Sequence, residues 1–383
     1  MGIYLDYNAS SPIDERVLDV MIDVYRNTYG NADSRTHEYG NHARQIVETA
    51  RTQVASLLNV NVDEVFFTSG STESNNIAVR GLIDYAKASG KMHVITSTIE
   101  HKAVLETVKS LVNEGFQVDL VNPNENGVVR FEEIMKLIRD DTLLVSLMHA
   151  NNETGTIQPV AEIGDELSDK GIFFHIDATQ SCGKLVPELK KIKYDMLSLS
   201  AHKLCGPQGI GALILKKKRY KLPPIKAITY GGKQEHGIRP GTIPVALVAG
   251  LGEACRLSEI EYENNIQSLI EKKELVKKII EGSGLSFHYN GSQDYCMPNT
   301  LNVSFDGIES EALMLSTKQY CGLSNGSACT SQDYSPSYVL TAMGLDPDRI
   351  SSAIRLSWGV RTDKKELVTQ LTELINVAKG LVL

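Results

Sequence analysis

Cysteine is scarce in this sequence, with six residues among 383, and no two of them form a CxxC pair. Disulfide frameworks and zinc ribbons need denser and more regular cysteine spacing, so the composition argues against both. Apolar runs are short as well, and none approaches the roughly 18 residues that cross a membrane. The first residues show neither the basic nor the apolar segment of a secretion signal. We therefore expect a chain of the reducing cytoplasm without a membrane partner.

Positive charge is also in deficit, because 39 Lys and Arg residues face 47 Asp and Glu residues, which gives a net charge of −8. Direct binding to nucleic acid requires a basic surface, so this balance argues against it. The remaining composition, 42% hydrophobic and 22% charged, is that of a globular chain with a large core. At roughly 100–200 residues per domain, the length predicts about two domains.

Short apolar runs alternate with helical patterns between about residues 60 and 215. Continuous apolar strands separated by helices predict a parallel or mostly parallel sheet covered by helices on both faces. From residue 243 the pattern changes to that of an α+β unit, with a long charged helix over 261–280 and strands at 300–305 and 353–357. We therefore predict an α/β fold with a large domain and a smaller α+β domain. Their bounds are 14–255 for the large domain and 256–383, together with an N-terminal arm over 1–13, for the small one.

Open α/β sheets bind ligands at the carboxyl ends of their strands, so the residues that follow each strand are the candidates for a site. After the first apolar run comes a stretch of small hydroxyl residues and a glycine at 68–74, where a helix begins. This stretch is either an anion site or a plain helix cap, and its residues alone leave both interpretations open. It is neither a GxGxxG fingerprint nor a Walker A sequence, which disfavours dinucleotides and ATP.

Two titratable residues follow later strands of the predicted sheet. Asp177 ends one strand, where it either forms a structural salt bridge or faces a cationic ligand nitrogen. Lys203 follows another, where it is either a surface lysine or an amine for a Schiff base. Together with the anion site, these residues are what pyridoxal phosphate requires, and His101 is the candidate to lie on its ring.

Several motifs carry a family resemblance over nearly the whole chain, starting at Tyr4. The stretches at 68–75, 100–105, 151–155, 177–180 and 200–209 resemble those of class V aminotransferase-type, fold type I pyridoxal-phosphate enzymes. Ser327-Ala328-Cys329-Thr330 resembles the active-site cysteine loop of cysteine desulfurases of the IscS/NifS type. The spacing of His37 and His42 is one residue too long for a zincin motif, and no metal is expected.

The resemblance implies a role for each matching residue. Lys203 would hold the cofactor, Asp177 would pair with its ring nitrogen, and His101 would stack on the ring and assist proton transfer. Cys329 would be the second catalytic nucleophile, placed on the cysteine loop of the small domain. The remaining cofactor residues would be Gln180 at the phenolic oxygen, Ser71, Thr72, Ser200 and His202 at the phosphate, Thr242 at the phosphate of a neighbouring subunit, and Asn152. The substrate residues would be Arg355 and Asn152 at the carboxylate and Asn31 at the entrance.

The implied reaction converts L-cysteine to L-alanine and leaves the sulfur as a persulfide on Cys329. A thiolate is the side chain that accepts sulfur readily at neutral pH, which favours a cysteine in this role. The implied protein is a homodimer that passes sulfur to an acceptor protein for iron–sulfur cluster assembly or for thiolation of tRNA or DNA. Two alternatives stay open: a selenocysteine lyase or other class V pyridoxal-phosphate enzyme, and a non-catalytic sulfur-relay partner.

Overall fold

The computed structural model describes residues 2–325 and 336–382. The strands of these residues are β1 Ile3–Tyr4, β2 Val65–Thr68, β3 His93–Ser97, β4 Gln117–Val121, β5 Thr142–Met148, β6 Phe173–Asp177, β7 Met196–Ser200, β8 Gly211–Leu215, β9 Phe287–Asn290, β10 Thr300–Phe305, β11 Cys321–Gly322 and β12 Ala353–Ser357. The α-helices are α1 Glu15–Asn27, α2 Glu38–Leu58, α3 Ser71–Arg80, α4 Ile83–Ser89, α5 Lys102–Ser110, α6 Phe131–Leu137, α7 Val160–Leu167, α8 Val186–Leu189, α9 Val245–Ile260, α10 Tyr262–Glu281, α11 Ser310–Thr317, α12 Tyr338–Ala342, α13 Pro347–Ser351 and α14 Lys364–Leu381. Among the described helices, none has the length and apolar character of a membrane span.

Seven strands form the central sheet in the order β2-β8-β7-β6-β5-β3-β4. β8 is antiparallel to both of its neighbours, and the other pairings are parallel. This confirms the predicted α/β fold with a mostly parallel sheet. The order of the strands reverses between β3 and β5, and such a switch point opens a crevice at the carboxyl ends of the strands.

Both faces of the central sheet are buried, because successive residues of each apolar strand point to opposite sides. Phe67 and Ile95 belong to the core that α1, α2 and α9 cover. Phe66 and Val94 belong to the core under α3, α4 and α5. The near-continuous apolar strands read from the sequence are therefore those of a sheet covered on both sides.

A second, antiparallel sheet of β9, β10 and β12 packs with α10 and α14 around its own core, in which Trp358 is fully buried. The N-terminal arm joins this core through Ile3 and Leu5, and β1 pairs with β11. The division of the chain into two domains at residue 255 stays a prediction, and α9 runs through that residue.

Two helices, α1 and α2, lie before residue 60, where no helix was predicted from the sequence. α1 carries its apolar stripe at Val17, Met21 and Val24, and Asp14 caps it by accepting a hydrogen bond from the main chain. His37 caps α2 in the same way, through a hydrogen bond from the Gly40 N–H to its Nδ1.

Candidate active site

The strand ends converge on a cavity of about 610 Å³ at the switch-point edge of the sheet. Its walls come from the residues after β2, β3, β5, β6 and β7, from the N-terminal arm at Asn8–Ser10, and from Pro336, Tyr338 and Arg355. The carboxyl ends of parallel strands meet at one edge, so residues far apart in sequence share this cavity. The cavity therefore brings together most of the residues singled out by their position after a strand.

Lys203 lies in the short 3-10 turn after β7 and reaches into the cavity. Its Nζ donates hydrogen bonds to the carbonyl oxygens of Asn8, at 2.5 Å, and of Ala9, at 2.6 Å. The N-terminal arm is held there by Ser11, whose Oγ donates to the His202 carbonyl over 2.7 Å. The amine is thus fixed between the sheet edge and the arm.

Asp177 ends β6 and is almost fully buried at the cavity wall. Asn75, buried in α3, donates from Nδ2 to Asp177 Oδ2 over 2.8 Å. The Thr179 N–H donates to Oδ1 over 3.0 Å, and the Thr179 hydroxyl also contacts Oδ1. Hydrogen bonds to both oxygens hold the carboxylate in one orientation, which suits a partner for a cationic ring nitrogen.

The start of α3 presents hydrogen-bond donors on the same wall. Its N-cap is Gly70, which has no side chain to cap the helix and whose φ of 149° favours glycine. Ser71, Thr72 and Ser200 line the cavity around it, together with His202, whose pKa is lowered to about 4 mainly by burial and then by Lys203. Uncapped main-chain N–H groups, hydroxyls and a neutral imidazole are donors that fit a phosphate.

His101 caps α5 and lines the cavity near Lys203 and Asp177. Its Nδ1 accepts a hydrogen bond from the Ala103 N–H over 3.1 Å, so the neutral ring carries its proton on Nε2. Burial lowers the pKa of His101, Asp177 raises it, and Lys203 lowers it. The neighbouring Glu100 is fully buried, and burial raises its pKa to about 8.

Arg355 lies on β12 and presents its guanidinium to the cavity although its side chain is only 2% exposed. Nη2 donates to Asp6 Oδ1 over 2.6 Å, and Nη1 donates to the Asn152 carbonyl over 2.9 Å. Arg355 Nε and Asn152 Oδ1 are buried without a hydrogen-bond partner among the described residues. Unpaired buried polar atoms are costly, so these two atoms are available to a ligand.

The structure places the other predicted residues as follows. Gln180 lines the cavity and donates from Nε2 to the Asn8 carbonyl over 3.0 Å. Thr242 and Asn31 are exposed and do not line the cavity within the described part of the chain. Cys329 lies outside the described residues. The individual site roles stay predictions.

Sequence reasoning missed four contributors to the site. Asn75 sits inside a helix, and Thr179 was noted only as part of a motif, although both hold Asp177. Asn8 and Ala9 act through main-chain carbonyls, which no residue type signals. The motifs at 68–75 and 177–180 contain Asn75 and Thr179, and this was the one signal that the sequence offered for them.

A doubly wound sheet that combines a lysine, a buried carboxylate and an anion site at one edge defines an enzyme that anchors a phosphorylated aldehyde. The model of the Aminotransferase class-V family matches residues 3–369, and the chain belongs to that family. It is similar to a cysteine desulfurase IscS from Vibrio vulnificus, with 43% identity over 371 residues, 96% of this chain and 90% of the relative.

Solved structures show the same likeness over the whole chain. A NifS-like protein matches with a TM-score of 0.90 and 36% identity over 100% of both chains. A structure of SspA in complex with cysteine matches with a TM-score of 0.82 and 35% identity, over 94% of this chain and 100% of that one. These neighbours confirm the fold type I architecture that the motifs implied.

Proposed function

We propose that this chain is a pyridoxal-phosphate-dependent cysteine desulfurase, which converts L-cysteine to L-alanine and carries the sulfur as a persulfide on Cys329. The observation that carries the proposal is the convergence of Lys203, Asp177 and His101 on one cavity. The similarity to the Vibrio vulnificus desulfurase and to SspA in complex with cysteine supports the substrate.

The donor set of the cavity fits the cofactor at both ends. The uncapped start of α3 with Ser200 and His202 suits the phosphate, and Asp177 suits the ring nitrogen. Lys203 supplies the amine for the aldehyde. Bound there, pyridoxal phosphate supplies an electrophilic aldehyde and a ring that takes up the electron pair left by the α-proton.

Lys203 and His101 are the groups of the chain that transfer protons in the proposed reaction. Lys203 anchors the aldehyde and, once the substrate amine has freed it, takes the α-proton. The carbonyls of Asn8 and Ala9 accept hydrogen bonds from its Nζ, which keeps the freed amine in the cavity. His101 carries a proton on Nε2 for transfer at the substrate, since its Nδ1 is occupied by a main-chain N–H.

The substrate carboxylate is held by Arg355 and Asn152. The guanidinium retains an unpartnered Nε, and its other side is fixed by Asp6 and the Asn152 carbonyl. A planar guanidinium held in this way suits a carboxylate, because it can donate two parallel hydrogen bonds.

The described residues that flank the Cys329 segment lie at or beside the cavity. The carbonyl of Ser324 accepts a hydrogen bond from the Arg355 N–H over 2.6 Å, and Pro336 lines the cavity. Cys329 is four positions from Asn325 in the sequence, and four residues of fully extended chain span at most about 14 Å. The length of the intervening chain is therefore compatible with a role for the Cys329 thiol at this site.

The sulfur transfer balances without an external oxidant. The Cys329 thiolate attacks the substrate sulfur, and the carbon–sulfur bond breaks with its electron pair left on carbon. That carbon takes a proton, so L-cysteine and a thiol become L-alanine and a persulfide. The persulfide then passes to an acceptor protein that serves iron–sulfur cluster assembly or thiolation of tRNA or DNA.

The proposed enzyme is a homodimer in which Thr242 serves the phosphate site of the neighbouring subunit. Thr242 is exposed and lies outside the cavity of its own chain, which supports a role across an interface. Sedimentation should give twice the mass of 42.1 kDa. A Thr242→Ala variant should bind the cofactor more weakly without becoming monomeric.

The deciding experiment measures alanine and sulfide released from L-cysteine in the presence of a thiol reductant, for the wild type and for Cys329→Ser. We expect equal amounts of both products from the wild type, and their loss in the variant while the cofactor absorbance remains. Cys296→Ser is the matched control, because that cysteine lies outside the cavity. Undiminished turnover in Cys329→Ser would instead indicate a lyase that needs no thiol.

A further inference from the structure

Lys184 lies just behind the two strand ends that face the cofactor. It is partly buried, and its Nζ donates to the carbonyl of Gln180 over 3.0 Å and to the carbonyl of Lys203 over 2.9 Å. It is absent from the cavity wall itself. The Lys184 ammonium therefore connects the main chain of Gln180, the residue expected at the phenolic oxygen, to the main chain of Lys203, the residue expected to anchor the cofactor.

This ammonium has no carboxylate partner within 4.0 Å among the described residues, unlike Lys190, which pairs with Glu259. The titratable groups that face it are Cys182, Cys205 and His202, and Lys203 follows His202 in the 3-10 turn after β7. Burial lowers the pKa of Lys184 to about 8. Among the described residues, the hydrogen-bond acceptors of this ammonium are two carbonyl groups, and a buried cation without a carboxylate partner is costly.

We propose that Lys184 is a positioning residue of the cofactor site, which ties together the main chain of Gln180 and Lys203 and whose positive charge opposes protonation of the Lys203 nitrogen. The inference rests on the proposed function, because it concerns the nitrogen that anchors pyridoxal phosphate. Like charges disfavour the protonated form of each other, and His202 is close enough to both lysines for each to lower its pKa. The same charge already acts on His202, whose pKa Lys184 lowers after burial and Lys203.

The structural and electrostatic parts of the proposal are separable by substitution. Lys184→Met keeps much of the side-chain length but removes the charge and both hydrogen bonds. Lys184→Gln keeps a hydrogen-bond donor without the charge, and Lys184→Arg keeps both. Lys191→Met is the matched control, because Lys191 is exposed and follows on the same segment of chain.

The test follows the absorbance of the bound cofactor against pH in each purified holoenzyme, since that absorbance reports protonation of the Lys203 nitrogen. We expect the midpoint to move to higher pH by about half a unit in Lys184→Met and Lys184→Gln. Lys184→Arg and Lys191→Met should keep the wild-type midpoint. The cofactor dissociation constant should rise about tenfold in Lys184→Met, because two hydrogen bonds from a charged group are lost.

If Lys184→Gln binds the cofactor and keeps the wild-type midpoint of the absorbance titration, the proposal is overturned. Lys184→Gln therefore decides the question even if Lys184→Met fails to fold. A midpoint that moves equally in Lys184→Arg would also overturn it, since the charge would then be irrelevant. A wild type that binds no cofactor or releases no alanine from cysteine would instead refute the proposed function. The two failures are therefore distinguishable in one set of samples.

Discussion

Replacing Asn75 with alanine should weaken the cofactor site while leaving the fold nearly unchanged. Asn75 Nδ2 donates to Asp177 Oδ2 over 2.8 Å, and both side chains are buried. A hydrogen bond to a charged group contributes about 1.5–3 kcal/mol. At about 1.4 kcal/mol per factor of ten, the loss corresponds to about 10- to 150-fold.

The loss should fall on function because the bond orients the carboxylate that we propose as the partner of the ring nitrogen. Alanine is the more favourable helix residue by about 0.7 kcal/mol, which offsets part of the destabilisation of α3. Thr179 still donates to the other oxygen, so the carboxylate keeps one hydrogen-bond donor but is free to turn.

The assay measures the dissociation constant of pyridoxal phosphate by spectral titration, and kcat/KM for alanine release from L-cysteine. The loss of cofactor affinity and the loss of kcat/KM, each converted to free energy, should add up to about 1.5–3 kcal/mol. Asn76→Ala is the matched control, because Asn76 donates to the Thr72 carbonyl within its own helix. If Asn75→Ala stays within twofold of the wild type in both measurements, then Asn75 does not position Asp177.

Three further predictions concern buried groups. Burial raises the pKa of Glu100 from 4.5 to about 8, so the contribution of Glu100 to stability is lost as pH rises through 8. The midpoint of urea unfolding should therefore fall less between pH 6 and 8 in Glu100→Gln than in the wild type. Gly211→Ala should raise the cofactor dissociation constant at least about tenfold, because a Cβ would lie 2.7 Å from Gly70 Cα and displace the anion site. Arg51→Met should cost about 3–5 kcal/mol in unfolding experiments, because it leaves the buried Glu235 carboxylate without its cation.

Each of these predictions has a matched comparison. Glu106→Gln changes an exposed glutamate and should keep the wild-type pH dependence. Gly380→Ala adds a methyl group where nothing lies within 4 Å, and it should bind the cofactor normally. Adding Glu235→Gln to Arg51→Met should recover part of the lost stability. A wild-type unfolding midpoint in Arg51→Met alone would show that the buried Glu235 carboxylate does not need its cation.

The sequence by itself determined the class of fold and the residues at the strand ends. Apolar runs too short for helices and too continuous for a one-sided sheet predict buried parallel strands. Parallel strands present their carboxyl ends at one edge, so Asp177, Lys203 and the start of α3 had to come close together. Most of the candidate site followed from that geometric rule and from the motifs.

The tertiary structure alone decided what holds those residues in place. The carbonyls of Asn8 and Ala9 meet Lys203 across 195 and 194 positions of the chain, and main-chain atoms carry no signature of residue type. Asn75 meets Asp177 across 102 positions, through a helix that propensity describes only locally. The pKa of Lys184 depends on burial, which exists only once the chain has packed. Local patterns therefore specified the reacting groups, whereas long-range contacts set their orientation and charge.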